Sequence, residues 1–310
     1  MQGSFVHRPL PSRRASGRAL GALRVAALAL ILVAALPVQA QSPAATPARE
    51  GVDVGKKSWI AGLVPADQLE QAAQQQYVQL RRDAAQKNAL APDGHPQLVR
   101  LRAIAQRLIP YSYEWNDRAR KWDWEVSLIG SEQINAFAMP GGKIAFFYGL
   151  LEKLQLTDDE VAMIMGHEIA HALREHARER MGKTYATRGA IEIGSALLGL
   201  GGGGRYLADM GGQLVTLKFS RDDEAEADLV GMELAARAGY DPRAGITLWN
   251  KMAAASKGAP PEWFSTHPSG SSRIKDIEDN LPKVMPLYQR ADKPAQRFGP
   301  PPRRTPSGGG

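Results

Sequence analysis

The chain has 310 residues, of which 44% are hydrophobic, so it is long enough to bury the core of one large or two small domains. It contains no cysteine, which excludes disulfides, thiol nucleophiles and thiolate metal ligands, so any metal site must use histidine and carboxylate. The formal charge of +7 comes from the two ends of the chain, because residues 41–282 carry nearly equal numbers of basic and acidic side chains. A basic surface for nucleic acid is therefore not expected.

The first 40 residues have the pattern of a secretion signal. An arginine-rich segment without acidic residues precedes an apolar run of twelve residues, Val25–Leu36, which is shorter than the roughly 20 residues that span a bilayer. Pro37 and a small-residue cleavage pattern at 38–40 follow. We therefore predict a signal peptide, cleaved after Ala40, that exports the chain to a bacterial periplasm. The alternative is an uncleaved N-terminal helix that anchors the chain in the inner membrane and faces the periplasm.

Composition divides the remainder of the chain into three parts. Residues 41–64 are rich in alanine, proline, glycine and serine and are predicted to be a linker. Residues 65–282 carry the periodic apolar pattern of helices and strands and are predicted to be the folded domain. Residues 283–310 are rich in proline, arginine and glycine and are predicted to be a disordered tail.

The first half of the folded domain is predicted to contain two helices and then a group of strands. The helices cover 65–91 and 96–109, and Pro110 ends the second. Strands are predicted at Trp124–Ile129, Asn135–Met139 and Lys143–Tyr148. The turn between the last two is Pro140-Gly141-Gly142.

The second half is predicted to be helical. Thr157 and Glu160 form a capping box, so a helix should begin near Asp158 and continue to about Met181. Further helices are predicted at 190–200, 205–217, 221–238, 242–255 and 271–281. The glycine run 201–204 is predicted to be a flexible loop or the hinge of a lid. The fold class is therefore α+β, a mainly helical domain with a small β-sheet beside the helix that begins at Asp158.

The helix predicted at 158–181 contains the sequence HEIAH. His167 and His171 lie one turn apart, so their imidazoles point to one spot and supply two of the nitrogen ligands that tetrahedral zinc requires. Glu168 falls beside the metal, where it can take a proton from a metal-bound water. The alternative is a pair of surface histidines, but the helix is apolar on much of its circumference, and histidines there need partners.

A third ligand selects the subclass of metal site. The metzincin pattern needs glycine at 174 and histidine at 177, but the chain has Arg174 and Ala177. His176 is about 140° round a continuous helix from His171 and is predicted to be a surface residue or a residue that supports a ligand. The third ligand is therefore predicted to be a carboxylate on a later helix.

The acidic segment 220–228, with the sequence SRDDEAEAD, is the candidate for that helix. Glu224 and Asp228 share a face, so one can bind the metal while the other holds a ligand histidine through its free ring N–H. Periodicity alone does not separate Glu224 from Glu226. The alternative interpretation is a solvated helix start whose acids suit the helix dipole.

Four motifs, in their order along the chain, resemble those of the zinc metallopeptidases of the CAAX-prenyl-protease and HtpX family. They are NAFAMPGG at 135–142, HEIAH, SRDDEAEAD, and Thr266-His267-Pro268 with Arg273-Ile274. Within it the similarity is greatest to the soluble periplasmic and Oma-like members. The resemblance covers about Pro65–Leu281. It implies a zincin-like (gluzincin) domain, one zinc ion per chain and metalloendopeptidase activity.

The resemblance also implies roles for individual residues. The ligands would be His167, His171 and Glu224, which it favours over Glu226, and Glu168 would be the general base. Asp228 would support a ligand histidine.

The C-terminal motif and the first residue of NAFAMPGG supply candidates for stabilising an oxyanion. His267 is a candidate oxyanion donor, or a fourth zinc ligand that keeps the enzyme latent, and Asn135 is a weaker oxyanion candidate. The alternative for His267 is an ordinary loop residue before Pro268. Arg273 would anchor this loop by pairing with a carboxylate.

The substrate class follows from the strand predicted at Asn135–Met139, which would form the rim of the cleft. Such an edge can bind an extended substrate strand through backbone hydrogen bonds, which selects unfolded segments. We expect misfolded or unassembled envelope and outer-membrane proteins as substrates in protein quality control. Expected partners include outer-membrane assembly machinery, with at most peripheral membrane contact. The alternative is a periplasmic chaperone or assembly factor with latent protease activity. Because the chain lacks the transmembrane helices of prenyl-protease members, processing of prenylated proteins is not expected.

Overall fold

In the computed structural model of this protein, a buried helix, α4 (Asp158–Leu173), lies at the centre of the fold and contacts several other helices as well as the sheet. The structure describes residues 49–188, 214, 217–256, 261–268 and 272–303, all within one unit that begins at Arg49. The predicted signal peptide, the helix at 190–200 and the glycine run at 201–204 lie outside the described residues. So does the helix at 205–217, except for Leu214 and Leu217.

The remaining helices are numbered in chain order: α1 (Ala66–Gln86), α2 (Pro96–Ser112), α3 (Tyr148–Lys153), α5 (His176–Arg188), α6 (Arg221–Arg237), α7 (Ala244–Ala255), α8 (Trp263–Thr266) and α9 (Arg273–Arg290). Two short 3₁₀ helices cover Trp59–Leu63 and Asp117–Lys121. None of the helices in the described ranges combines the length and hydropathy of a membrane span. The predicted fold class, mainly helical with a small sheet, is confirmed.

The sheet has three strands, β1 (Glu125–Ile129), β2 (Ala136–Met139) and β3 (Lys143–Phe147), in the order β1-β3-β2. All three predicted strands are therefore confirmed within a residue or two. β3 is central and buried along its length, because it pairs in parallel with β1 and antiparallel with β2. β2 is an edge of this sheet and packs against α4.

The start of α4 has the geometry that its sequence predicts. The Thr157 side chain accepts from the Glu160 N–H at 3.3 Å, and the Glu160 carboxylate accepts from the Thr157 N–H at 2.8 Å. Every residue of α4 except Asp159 is buried. A helix that is apolar on most of its circumference is stable only when other elements surround it, which explains its central position.

The single helix predicted from Asp158 to about Met181 is wrong, because it ends at Leu173 and α5 begins at His176. Glu175 between them adopts a left-handed backbone conformation with φ 62°. The Arg174 side chain pairs with Glu226 and donates to the Gly55 carbonyl at 3.0 Å. These contacts with distant segments offset the cost of the left-handed residue. The break turns His176 back toward α4.

The C-terminal segment corrects two further predictions. The last helix, predicted to end at Leu281, continues through Pro282 and Pro286 to Arg290. Both prolines lie on its exposed face, so the carbonyls that lose their helical partner can reach water. Beyond the helix, the Phe298 N–H donates to Asp158 at 2.8 Å, so residues 291–303 are not the disordered tail that was predicted.

The region predicted to be a linker also packs on the domain from Arg49 onward. Glu233 of α6 is fully buried, and a buried carboxylate needs partners. Arg49 pairs with it at 2.5 Å and the Val52 N–H donates to it at 2.8 Å. A smaller correction applies to α2, which includes Pro110 in its last turn and ends at Ser112.

Helices α4 and α6 approach each other closely at Gly166 and Gly231. A Cβ on Gly231 would lie 2.5 Å from the His167 backbone nitrogen, and a Cβ on Gly166 would lie 2.6 Å from the Gly231 carbonyl oxygen. Only glycine at both positions allows this approach. The contact fixes the distance between the histidines of α4 and the acids of α6.

We predict that Gly231→Ala lowers the free energy of unfolding by about 3 kcal/mol, because the two helix backbones must separate to admit the methyl group. Gly62→Ala is the matched control, since a Cβ there meets no atom within 4 Å. Urea denaturation of the metal-free proteins measures both. An equal or higher stability for Gly231→Ala would contradict the proposed constraint, because alanine is otherwise the better helix former.

Candidate metal centre

Helix α4 presents His167 and His171 on one face, one turn apart. Their Nε2 atoms are 3.0 Å apart, and both side chains are almost fully buried. Burial lowers the pKa of His171 well below its usual value, so this ring is neutral and offers a lone pair. The Phe219 ring stacks on His171 with 3.9 Å between centroids.

Two further donor groups complete the cluster. Glu224 of α6 lies with Oε2 3.6 Å from His167 Nε2 and Oε1 3.4 Å from His171 Nε2. His267, directly after α8, lies with Nδ1 3.0 Å from Glu224 Oε1 and 3.4 Å from His167 Nε2. Ligand atoms of all four residues lie within 4.8 Å of one another, and all four are buried.

These separations fit a tetrahedral zinc ion. Four ligands at about 2.0 Å from one ion are about 3.3 Å from each other. Five of the six residue pairs in the cluster have donor atoms 3.0–3.6 Å apart, and all four ligand atoms lie within 4.8 Å of one another. Nitrogen and carboxylate donors are also the types that zinc accepts when no thiolate is present. The cluster can therefore hold a metal ion with little rearrangement.

The local charge also favours a cation. Glu168, Glu224 and Asp228 are buried carboxyl groups, and the buried guanidinium of Arg273 pairs with the last two. Burial alone would raise the pKa of Glu224, but hydrogen bonds from His171 and His267 hold it well below its usual value. Acidic groups therefore outnumber the basic group, and a divalent cation would offset the excess.

Arg273 of α9 joins the carboxylates of α6. Its Nε and one terminal nitrogen each donate to Asp228 at 2.6 Å, and the other donates to Glu224 at 2.5 Å. Burial would raise the pKa of Asp228, but the charge of Arg273 lowers it, so Asp228 is ionised. Asp228 Oδ1 lies 3.0 Å from His167 Nδ1, so it accepts that N–H when Nε2 is the ligand. The planar guanidinium rests on the Trp249 ring, with 3.8 Å to its centroid.

Glu168 lies beside the cluster and not in it. Its Oε1 accepts from the Trp263 indole N–H at 2.7 Å and lies 3.5 Å from His267 Nε2. Burial alone would lower the pKa of His267, but the charges of Glu168 and Glu224 raise it. Trp263 stacks on His267, with 4.6 Å between centroids. Trp263 thus contacts both residues, although nothing in the sequence pattern had singled it out.

Three further residues singled out in the sequence, Asn135, Glu226 and His176, do not belong to the donor set. The Asn135 side chain accepts from the Ala136 N–H at 3.0 Å, and its role in stabilising an oxyanion stays a prediction. Glu226 lies outside the donor set and contacts His176 and Arg174 instead. His176 is buried beside His171, which was one of its two predicted positions. The sequence pointed to Glu226 as an alternative ligand because it lies between Glu224 and Asp228. Helical periodicity could not show that it contacts His176 and Arg174.

A cavity runs from the cluster along the edge of the sheet. It is lined by the β2 segment Phe137–Pro140, by Leu214, Leu217 and Phe219, and by Glu168 and His267. Most of the lining residues are apolar. The cavity therefore joins the candidate metal centre to strand β2, whose outer edge pairs with no other strand in the part of the chain that the structure describes.

Comparison with known proteins places this architecture in a family. The model of peptidase family M48 matches residues 97–281, which include all four donors, and the chain therefore belongs to this family. The mitochondrial metalloendopeptidase OMA1 of Schizosaccharomyces pombe is 33% identical over 206 residues, which are 66% of this chain and 58% of that protein.

Two bacterial proteins from Escherichia coli are also similar. The metalloprotease LoiP is 29% identical over 198 residues, covering 63% of this chain and 75% of LoiP. The beta-barrel assembly-enhancing protease is 27% identical over 203 residues, covering 62% of this chain and 40% of that protein. The chain thus spans a little over half of the OMA1 relative, and the relatives come from both mitochondria and bacteria.

We predict that Arg273→Met destabilises the metal-free protein by about 3–5 kcal/mol, because two buried carboxylates lose their shared partner. Arg273→Lys keeps the charge without the planar fork and should lie between Arg273→Met and the wild type. Lys275→Met, on the exposed face of the same helix, is the control and should leave stability nearly unchanged. Thermal or urea unfolding measures all three. A wild-type stability for Arg273→Met would contradict this account of the ion pairs.

Proposed function

We propose that this protein is a zinc-dependent endopeptidase. The observation that carries the proposal is the set of four buried donors, whose ligand atoms lie within 4.8 Å of one another, beside a buried glutamate. Membership of peptidase family M48 supports the same conclusion. The proposed ligands are His167, His171 and Glu224.

A bound zinc ion would polarise the scissile carbonyl and lower the pKa of a water molecule. Glu168 would accept the proton of the attacking water and pass it to the leaving amine. The Trp263 indole holds one Glu168 oxygen at 2.7 Å, which fixes the orientation of the carboxylate and leaves the other oxygen for the proton. Asp228 and Arg273 would keep His167 in the tautomer that binds through Nε2.

His267 supports a latent state in this proposal. Its Nδ1 belongs to the donor set, at 3.0 Å from Glu224, so it can serve as a fourth ligand in the place that a substrate or water would take. If the ring leaves that position, its other nitrogen, now 3.5 Å from Glu168, is near enough to donate to an oxyanion. One histidine can therefore keep the enzyme latent and later assist the reaction.

The proposed substrate is an extended segment that pairs with β2. The Asn135 carbonyl accepts from the Phe147 N–H at 3.1 Å, so in this antiparallel ladder residues 135, 137 and 139 bond to β3. The backbone groups of Ala136 and Ala138 point away from β3, and Ala138 lines the cavity that holds Glu168. Backbone pairing at Ala138 would select unfolded chains without reading their side chains.

The proposed setting is protein quality control in the bacterial envelope, with misfolded or unassembled outer-membrane proteins as substrates. The predicted signal at residues 1–40 and the similarity to LoiP and the beta-barrel assembly-enhancing protease support it. The second candidate is a periplasmic assembly factor with latent protease activity. The position of His267 within the donor set supports this second candidate, because a fourth ligand would keep the protease latent.

We predict that residues 41–310 bind one zinc ion and cleave casein, an unfolded substrate, but not a stably folded protein. Glu168→Gln should keep zinc and lose activity by a factor of about 10²–10⁴, because it removes the general base and no ligand. His167→Ala should lose zinc and activity together. Zinc titration and a fluorescent casein assay measure the two properties.

Different outcomes separate the candidate functions. Zinc binding without casein cleavage, with activity appearing in His267→Ala, would support the latent state. Zinc binding without cleavage in either protein would favour the assembly factor. Full activity in Glu168→Gln, or no zinc bound by a folded wild type, would contradict the proposed function.

A further inference from the structure

We propose that His176 and Glu226 form a hydrogen-bonded relay that fixes the tautomer and ring orientation of His171, and that they are positioning residues for the metal centre. The inference rests on the proposed function, since His171 matters most as a ligand. It concerns two side chains outside the donor set: His176 contacts His171, and Glu226 contacts His176.

The contacts form a continuous line. His176 Nδ1 lies 2.9 Å from His171 Nδ1, and His176 Nε2 lies 3.3 Å from Glu226 Oε2. His176 is 1% exposed, so the ring has no ready access to water as an alternative partner. A continuous helix would have carried His176 away from His171, and the break at Glu175 brings it back.

The protons in this line have one consistent arrangement. For His171 to bind a metal through Nε2, its proton must be on Nδ1. That proton can bond to His176 Nδ1 only if the latter is an acceptor, which puts the His176 proton on Nε2, opposite Glu226. Every donor in the line then faces an acceptor. The opposite arrangement would take the lone pair of His171 Nε2 away from the metal centre.

Glu226, at the end of the relay farthest from His171, is itself held by an ion pair. Glu226 pairs with Arg174, whose guanidinium also donates to the Gly55 carbonyl at 3.0 Å. The relay thus ties His171 to the N-terminal segment of the domain. Phe219 stacks on the face of the His171 ring, while His176 contacts its edge at Nδ1. The ring is therefore restrained both in its plane and perpendicular to it.

The three alternate acids of α6 therefore have separate tasks. Glu224 belongs to the donor set, Asp228 supports His167 directly, and Glu226 supports His171 through His176. An imidazole between Glu226 and His171 passes on less negative charge than a carboxylate in direct contact. The two ligand histidines consequently receive unequal support, which distinguishes this relay from a simple repeat of the Asp228 contact.

The test measures zinc affinity by competition with a chromophoric chelator in six proteins: wild type, His176→Phe, Glu226→Gln, the double variant, His176→Asn and a control variant. We expect His176→Phe, which keeps the ring and removes both hydrogen bonds, to weaken zinc binding by about 10–100-fold. His176→Asn, whose amide can still accept near the Nδ1 position, should recover part of the loss. Glu179→Gln, which loses a pair with Lys183 on the same helix as His176, is the control and should bind zinc as the wild type does.

A double-mutant cycle separates the relay from a general structural effect. If Glu226 acts through His176, Glu226→Gln weakens zinc binding in the wild type but adds nothing in His176→Phe. In the zinc-loaded wild type, ¹⁵N chemical shifts should place the His176 proton on Nε2. Unchanged affinity in a folded His176→Phe, additive effects in the cycle, or a proton on His176 Nδ1 would each overturn the relay. A wild type that binds no zinc would instead overturn the proposed function, and the relay with it.

Discussion

The approach of α4 to α6 at Gly166 and Gly231 is the constraint on which the rest of the site depends. A single methyl group at either glycine would meet the other helix backbone at 2.5–2.6 Å. This approach places the histidines of α4 within 4 Å of Glu224. Side chains on a more distant helix could not share one ion, because zinc–ligand bonds are only about 2 Å long.

Close packing of the two helices buries several acidic groups, and the fold must compensate for them. Arg273 reaches Asp228 and Glu224 from α9, and the histidines occupy the remaining acceptor positions. Buried carboxylates without such partners would lose their charge or destabilise the fold. The same contacts orient the ligand rings, so stability and the capacity to bind a metal have a common origin here.

Local sequence patterns predicted much of this arrangement. The Thr157–Glu160 capping box, the HEIAH spacing and the three strands each depend on residues close in the chain, and the structure has them where expected. The break after Leu173 has no glycine or proline to signal it, and it depends on contacts of Arg174 with Gly55 and Glu226. The hydrogen bond from Trp263 to Glu168 and the continuation of α9 past Pro282 likewise depend on tertiary packing, which periodicity does not report.

The central claim is that the buried cluster holds one zinc ion, and zinc K-edge X-ray absorption of the zinc-loaded protein tests it most directly. The account predicts one zinc per chain with four nitrogen or oxygen neighbours at about 2.0 Å and the outer-shell scattering of two or three imidazoles. If the wild type shows three imidazoles, His267→Ala should show two; if the wild type shows two, His267→Ala should leave that count unchanged. Six oxygen neighbours without imidazole scattering, or zinc well below one per chain, would contradict the account.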